Sequence, residues 1–500
     1  MHFLSRFLVV IVTFSSGVLA FAERHKRPNV LWFVVDDMSP NFSCYGEALI
    51  STPNVDRLAR EGTKFSSAFV TAPVCSPCRS ALITGMYQTT IGAHHHRSGR
   101  GNLKIRLPEG VVPLPVLFKQ QGYFTCTGSG LPGIASNGLP SRREEKGKDD
   151  YNFEWEKGMY DSSDWGGRAD GQPFFMQVHL PGGKLRGGSD IEAITLSRRA
   201  VRELGNQVYP ENVELPPYYP TDPVLLRDWA AYLDAVRFTD KHVGEVLSRL
   251  ERERILDETI VVFMADHGIS HARGKQFLYD EGTHVPLIIR GLGIPVGEVR
   301  SDLVEHIDVA AISLGVAGIG IPAYMQGQNV FSPDYERRGF VIAARDRCDE
   351  TVDRIRSLRT DEFLYIRNFL PQRPMLQPNA YKDSKSIIQS IRRLKASGEL
   401  CDLGKRLLFS AERPSEELYL WRKDKWQQRN LASEAAYQEV LTELRVKLDK
   451  WVADTKDRGF ENEAMYDSDM AAYMEGKTEE VKSVILDNIS QMKEWARKGQ

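Results

Sequence analysis

The 500-residue chain has little cysteine, almost no net charge, and no apolar stretch beyond residue 22 long enough to cross a bilayer. Each shortage excludes something. Six cysteines, at positions 44, 75, 78, 126, 348 and 401, are too few for a disulfide scaffold at this length. Cys75 and Cys78 make a C-x-x-C, but no second pair follows, which excludes a structural zinc site. Spacing alone leaves open a redox role for that pair and a Cys348–Cys401 bridge in an oxidising compartment. A net charge of -2 gives no general case for binding nucleic acid or an anionic membrane. Any anionic substrate must therefore be met by local basic residues and a metal. The chain also lacks internal repeats and low-complexity tracts.

What is present is the composition of a globular protein, 42% apolar and 26% charged, in a chain too long for one ordinary core. The N-terminus reads as a signal peptide over residues 1–22. His2 and Arg6 start it, residues 7–20 are apolar, and Ala20-Phe21-Ala22 fits a small-residue cleavage site. The apolar run is short of a membrane span. The expected localisation is secreted, or periplasmic or lumenal, with no membrane span.

Residues 29–35 and 259–264 are apolar runs rich in β-branched residues, and read as strands buried on both faces of a parallel sheet. Residues 285–289 read as a third strand. Asn54 is placed as the N-cap of a helix over 55–61, and 227–253 has helical apolar spacing. Residues 135–170 read as a surface insertion. A strand over 363–367, a Pro-rich loop over 371–378 and helices to 453 and over 478–496 complete the pattern. Strands alternating with helices imply an α/β sandwich, whose ligands collect beyond the carboxyl ends of strands. Asp36-Asp37 and Asp266-His267 follow two such ends. Adjacent carboxylates there repel unless a cation sits between them, and hard oxygen ligands suit Ca2+ or Mg2+.

Cys75-Ser76-Pro77-Cys78-Arg79, running into Ser80-Ala81-Leu82-Ile83-Thr84-Gly85, resembles the signature of the type I sulfatases. The polysaccharide and sulfamidase-like branch is the most similar. The resemblance spans roughly residues 28 to 450, and includes Glu416-Glu417-Leu418-Tyr419 with Asn430-Leu431. It implies an alkaline-phosphatase-like sandwich over 23–355 with a central, mostly parallel sheet. A smaller C-terminal α+β subdomain with a helical tail would occupy 356–500. It further implies hydrolysis of a sulfate ester, or an N-sulfate, on a carbohydrate, with Cys75 oxidised to formylglycine by a formylglycine-generating or anaerobic maturase enzyme. One hydroxyl of the hydrated aldehyde attacks sulfur, and the other then expels the sulfate. Asp36, Asp37, Cys75, Asp266 and His267 would surround the metal, Ca2+ or Mg2+. A phosphodiesterase or phosphonate monoester hydrolase of the same superfamily is the alternative, as is a silent carbohydrate-binding relative.

Arg79 would orient the formylglycine or bind sulfate through its fork of donors. Lys275, in Arg273-Gly-Lys-Gln-Phe-Leu-Tyr-Asp-Glu-Gly-Thr-His284-Val-Pro-Leu, resembles the family's sulfate-contacting lysine. The chain departs from the family twice. Gly128-Ser-Gly-Leu-Pro-Gly133 replaces a Gly-Lys-x-His-Leu-Gly segment, and Lys148 stands as the substitute lysine. Pro181-Gly182 replaces a Pro-His, and Lys184 stands in for the leaving-group contact. His94, His96, Arg97, His284, Asp346, Arg347 and Asp349 are the remaining expected substrate-pocket residues.

Overall fold

The computed structural model describes residues 27–142, 146–460 and 462–500; the expected signal peptide lies outside them. In chain order the strands are β1 (Asn29–Val35), β2 (Thr63–Phe65), β3 (Ala68–Phe69), β4 (Phe124–Gly128), β5 (Phe174–Leu180), β6 (Thr259–Ala265) and β7 (Leu287–Arg290). Then follow β8 (Glu298–Arg300), β9 (Val304–Glu305), β10 (Val341–Arg345), β11 (Ile355–Arg359), β12 (Leu364–Asn368) and β13 (Glu416–Tyr419). Seven of them form one sheet in the order β4-β5-β1-β6-β7-β2-β8. Its first four strands are parallel, and β7 runs antiparallel to β6.

Every residue of β1 and β6 is buried, as continuous apolar runs require in a sheet covered on both faces. The two-residue period still sorts the side chains. Leu31, Phe33, Val35, Val261 and Phe263 pack under the long helix Pro223–Arg252. Val30, Trp32, Val34, Val262 and Met264 face the helix Asp308–Val316.

Register decides the function of this sheet. β1 pairs with β6 so that Val35 lies opposite Ala265, and with β5 so that Val34 lies opposite His179. The residues just past β1 and β6 are Asp36-Asp37 and Asp266-His267, so two pairs 229 positions apart in sequence meet at one edge.

β10-β11-β12-β13 form a separate antiparallel sheet, covered by the helix Gln438–Asp454 through Leu441, Leu444, Leu448 and Trp451. This sheet starts at Val341, so a division at residue 355 would cut β10 from its neighbours. Helices Ser386–Ala396 and Asp402–Phe409 return to the main core through Ile387, Ile391 and Leu408.

Several local expectations change. The first helix spans Pro53–Glu61, with Asn54 inside it. Its free amides at Asn54 and Val55 are met by the Asp240 carboxylate at 3.0 and 2.8 Å, so a neighbouring helix does the capping. Residues 135–170 are not wholly superficial: Tyr151, Phe153, Met159 and Trp165 are buried, because aromatic rings interrupt the polar run and seek the core. A helix at Glu463–Met474 joins the two expected in the tail. Cys348 and Cys401 are free thiols, and the Cys401 sulfur instead caps the helix Asp402–Phe409.

Candidate active site

Cys75 is the first residue of the buried helix Cys75–Thr84. Pro77 sits in the first turn, where its missing N–H breaks no helical bond. Gly85, at φ 65°, ends the helix in the left-handed conformation. The helix N-terminus thus aims its free amides at the strand ends, and a negative charge there is favoured.

The thiol is 3.2 Å from His267 Nε2, 3.3 Å from Lys275 Nζ and 3.5 Å from Lys184 Nζ. Burial opposes its ionisation, but Lys148, Lys184, Lys275 and His267 outweigh burial and hold its pKa well below the ordinary thiol value. Cys78 is the opposite case. Burial pushes it up, with Asp266 adding to the effect, so the C-x-x-C is not a matched redox pair.

Arg79, one helical turn on, bridges the two strand ends. Its Nη2 donates to Asp36 Oδ1 at 2.9 Å and its Nε to Asp266 Oδ2 at 3.0 Å. Lys148 and Lys184 reach Asp36 at 3.0 and 2.9 Å, and Lys275 reaches Asp37 at 2.9 Å. Arg79, Lys148, Lys184 and Lys275 thus face four carboxylates, those of Asp36, Asp37, Asp266 and Asp150, and a divalent ion would tip the balance to positive. Such a site selects an anionic ligand.

The donor set fits a hard divalent cation. Asp37 Oδ2 is buried with no hydrogen-bond partner. Asp36 and Asp266 crowd each other, and burial together with the Asp36 charge pushes Asp266 up. His267 Nδ1 lies 3.0 Å from the Gly268 carbonyl; donating there, the ring would offer Nε2 to a bound cation once that nitrogen gives up its proton. That Nε2 is 3.3 Å from Asp37 Oδ1 and 3.4 Å from Asp266 Oδ1. Ligand atoms of Asp37, Cys75 and His267, and of Asp36, Cys75 and Asp266, lie within 4.8 Å of one another. A cation there would answer the orphaned oxygen and the carboxylate crowding together.

His179 is a site residue that sequence reasoning missed. Its Nε2 is 3.4 Å from Asp36 Oδ2 and its Nδ1 is 3.3 Å from Arg79 Nη2. Since arginine only donates, Nδ1 accepts and the ring proton is on Nε2. Burial, with Arg79 and the lysines, drives its pKa down to about 3 in spite of Asp36, so the ring is neutral. The clue was positional: His179 stands one residue before the end of the third parallel strand. Asp150, 3.4 Å from Lys148, is a second addition.

The expected pocket residues divide. His96 Nδ1 meets Asp349 Oδ1 at 3.0 Å, and burial of Asp349 is outweighed by His96, Arg97 and Lys275, which lower its pKa. The Arg97 backbone N–H donates to Ser76 Oγ beside the nucleophile. The others are spent on internal contacts. His94 Nε2 lies against the Gly459 carbonyl and His284 Nε2 against the Ser66 carbonyl. Asp346 accepts from Arg356 at 3.1 Å, and Arg347 donates to Asp469 at 2.6 Å. Their buried polar groups satisfy neighbouring chain segments.

Backbone strain gathers here. Seven described non-glycine residues have positive φ, and Asp37, Arg97, Gln276 and Asp349 are four of them. Such concentration accompanies functional sites.

The family profile described as Sulfatase matches residues 28–319. An ulvan-active sulfatase of Formosa agariphila is 30% identical over 85% of this chain and 75% of its own. Human N-sulphoglucosamine sulphohydrolase is 26% identical over 87% and 91%. Among solved structures, a Bacteroides thetaiotaomicron sulfatase superposes with a TM-score of 0.63 at 19% identity, covering 88% and 96% of the two chains. A phosphonate monoester hydrolase of Silicibacter pomeroyi gives 0.55 at 16%, covering 86% and 96%. These last two speak for the alkaline-phosphatase-like fold alone. With the strand-end acids, the helix-borne Cys75 and the matched profile in agreement, the chain belongs to the sulfatase family, the sulfuric ester hydrolases.

Proposed function

We propose that this protein is an exported, formylglycine-dependent sulfatase acting on a sulfated carbohydrate. The observation that carries the reading is the position of Cys75 Sγ, within 3.5 Å of His267, Lys275 and Lys184 at the edge where four side chains able to hold a metal converge. The sulfur stands in for the oxygens of the hydrated aldehyde that a maturase would leave at residue 75. The carbohydrate comes from the relatives, which include an ulvan-active sulfatase and an N-sulphoglucosamine sulphohydrolase. Export rests on the reading of residues 1–22; no helix among the described residues is long and apolar enough to cross a membrane.

Asp36, Asp37, Asp266 and His267 would hold Ca2+, with Mg2+ as the alternative hard cation. Bound there, it would lower the pKa of the nucleophilic hydroxyl and neutralise sulfate oxygens. The chain's own side chains do the rest. Lys275, beside residue 75 and Asp37, and Lys148, beside Asp36, would supply positive charge for the transferred sulfate. Arg79 locks the two strand ends and keeps the carboxylates in place. Lys184 is protonated at neutral pH, because Cys75 and Asp36 outweigh its burial and raise its pKa. Its ammonium therefore stands where it can neutralise the charge that develops on the departing sugar oxygen, or hand it a proton.

The test is paired. The protein is co-expressed with a formylglycine-generating enzyme and the Cys75 peptide is weighed. Conversion lowers its mass by about 18 Da, from loss of two hydrogens and exchange of sulfur for oxygen. The converted protein is then assayed against sugar O-sulfates, an N-sulfated glucosamine and a phosphonate monoester. Release of sulfate supports the reading. An unconverted Cys75, or turnover of the phosphonate alone, would reject it.

A further inference from the structure

The segment around Tyr381, next to Lys275, carries charge that the reaction above does not use. The short helix Ala380–Asp383 is anchored to three segments that bound the site. Asn379 Nδ2 donates to the Cys348 carbonyl at 3.1 Å, next to Asp349. Lys382 Nζ donates to the His271 carbonyl at 2.9 Å, on the loop leading to Lys275. Ser386 N–H donates to the Gly188 carbonyl at 2.8 Å, just beyond the turn that bears Lys184.

Tyr381 sits at the centre of this arrangement. Its ring centre is 5.4 Å from Lys275 Nζ, which itself touches Cys75 Sγ, and 5.0 Å from Lys385 Nζ. The two ammonium groups can therefore be no farther apart than these distances laid end to end, about 10 Å. That is within reach of two substituents on one pyranose or on adjoining rings.

Lys385 is 8% exposed, and no carboxylate lies within ion-pairing distance of it among the described residues. The nearby acids are already engaged: Asp228 with Arg186 and His271, Glu192 with the Ser189 capping box. With no acidic side chain in reach, this ammonium is left to meet an anion on a ligand. Lys385 also stands at the N-cap of the eleven-residue helix Ser386–Ala396, whose positive end adds to the attraction.

We propose that Lys385 and Tyr381 form a second anion subsite, which binds a further carboxylate or sulfate on the substrate while the tyrosine ring supports the sugar face. This rests on the sulfatase reading and deepens it: the substrate is a multiply anionic saccharide rather than a lone monosulfate. One solved structure of the same fold holds its substrate D-glucosamine-2-N,6-O-disulfate, a ligand of this charge type.

Calorimetry on full-length Cys75→Ala protein, which cannot form the aldehyde, tests it. The probes are glucosamine 6-sulfate, glucosamine 2-N,6-O-disulfate, and a disaccharide joining a uronate to a 6-sulfated glucosamine. The expected result is at least tenfold tighter binding of one or both dianionic probes than of the monosulfate. The tighter of the two says whether the second group is sulfate or carboxylate. Adding Lys385→Met should bring that ratio to within about twofold, and Lys385→Arg should restore it, with thermal melts confirming that each variant folds. No preference, no binding of any probe, or a ratio indifferent to Lys385→Met would overturn the subsite. Failure of the sulfatase reading is seen separately, as an unconverted Cys75 and no sulfate release in the wild-type protein.

Discussion

Gly182 lies directly over the Asp36 carbonyl: a Cβ at this glycine would overlap that oxygen and stand 2.5 Å from Val35 Cγ1. Gly183 has the same relation to the Asp37 carbonyl. Gly182 also has φ of +50°, in the left-handed region. The departure from the family's Pro-His is thus built into the backbone, which folds tightly on the metal-site strand end and presents Lys184 instead.

A Gly182→His variant should therefore not restore a lost function. It is expected to cost about 2–3 kcal/mol of stability through strain and overlap, and to abolish sulfate release by displacing Asp36. Gly182→Ala should do nearly as much. A folded, active Gly182→His enzyme, judged by melting temperature and turnover, would show that this turn is free to move.

Arg79→Lys is expected to lower kcat/KM by about a hundredfold or more, near 2.7 kcal/mol of transition-state stabilisation. One ammonium cannot make both the Nη2 bond to Asp36 and the Nε bond to Asp266, so the two strand ends lose their shared clamp. Steady-state kinetics decides this. An Arg79→Lys enzyme within about threefold of wild type would mean that charge alone is required.

Lys184→Met separates proton donation from sulfate binding. If Lys184 protonates the leaving oxygen, a sugar sulfate, with a poor leaving group, should lose about 10²–10⁴ in kcat. 4-Nitrophenyl sulfate, whose phenolate departs unaided, should lose much less. Equal losses on both would move Lys184 to a binding role.

Ca2+ or Mg2+ should raise the melting temperature of the chelator-treated protein, because binding answers the unpartnered Asp37 Oδ2. At a hundredfold excess over Kd the gain is about 2.7 kcal/mol. Asp37→Asn should shrink that gain. Identical melting curves with and without either ion would remove the metal from the site.

Much of this site could be read before the fold was known, for a physical reason. Asp36-Asp37 and Asp266-His267 end long apolar strands, and strand ends are where parallel sheets collect ligands. What local sequence does not carry is lateral order. Only the placement of β5 beside β1 brings His179 against Asp36; read alone, that histidine is a polar residue in an otherwise apolar strand. The same holds for Asp240, which caps a helix 186 positions away. That His94 and Arg347 are buried was not legible, because composition cannot tell an exposed basic loop from a buried one. Here the loop is covered by the tail, through Gly459 and Asp469.

That tail is held by a buried pair whose pH response has a definite sign. Arg356 on β11 donates to Asp457 through Nε at 2.6 Å and Nη2 at 2.9 Å. Burial would raise the Asp457 pKa, but the hydrogen bond and charge of Arg356 prevail and bring it down to about 2. A carboxyl depressed in the folded state contributes stability that is complete above its unfolded pKa of about 3.9 and is lost as pH falls through 2. The shift is worth roughly 2 kcal/mol. Asp457→Asn should thus unfold at lower urea than wild type at pH 6, by that amount or somewhat more, since Arg356 is left buried with only Asp346. Near pH 2 the difference should shrink, because wild-type Asp457 is then protonating too. A gap between the two proteins that stays constant from pH 6 to pH 2 would show that the pair's charge is not what fastens the tail.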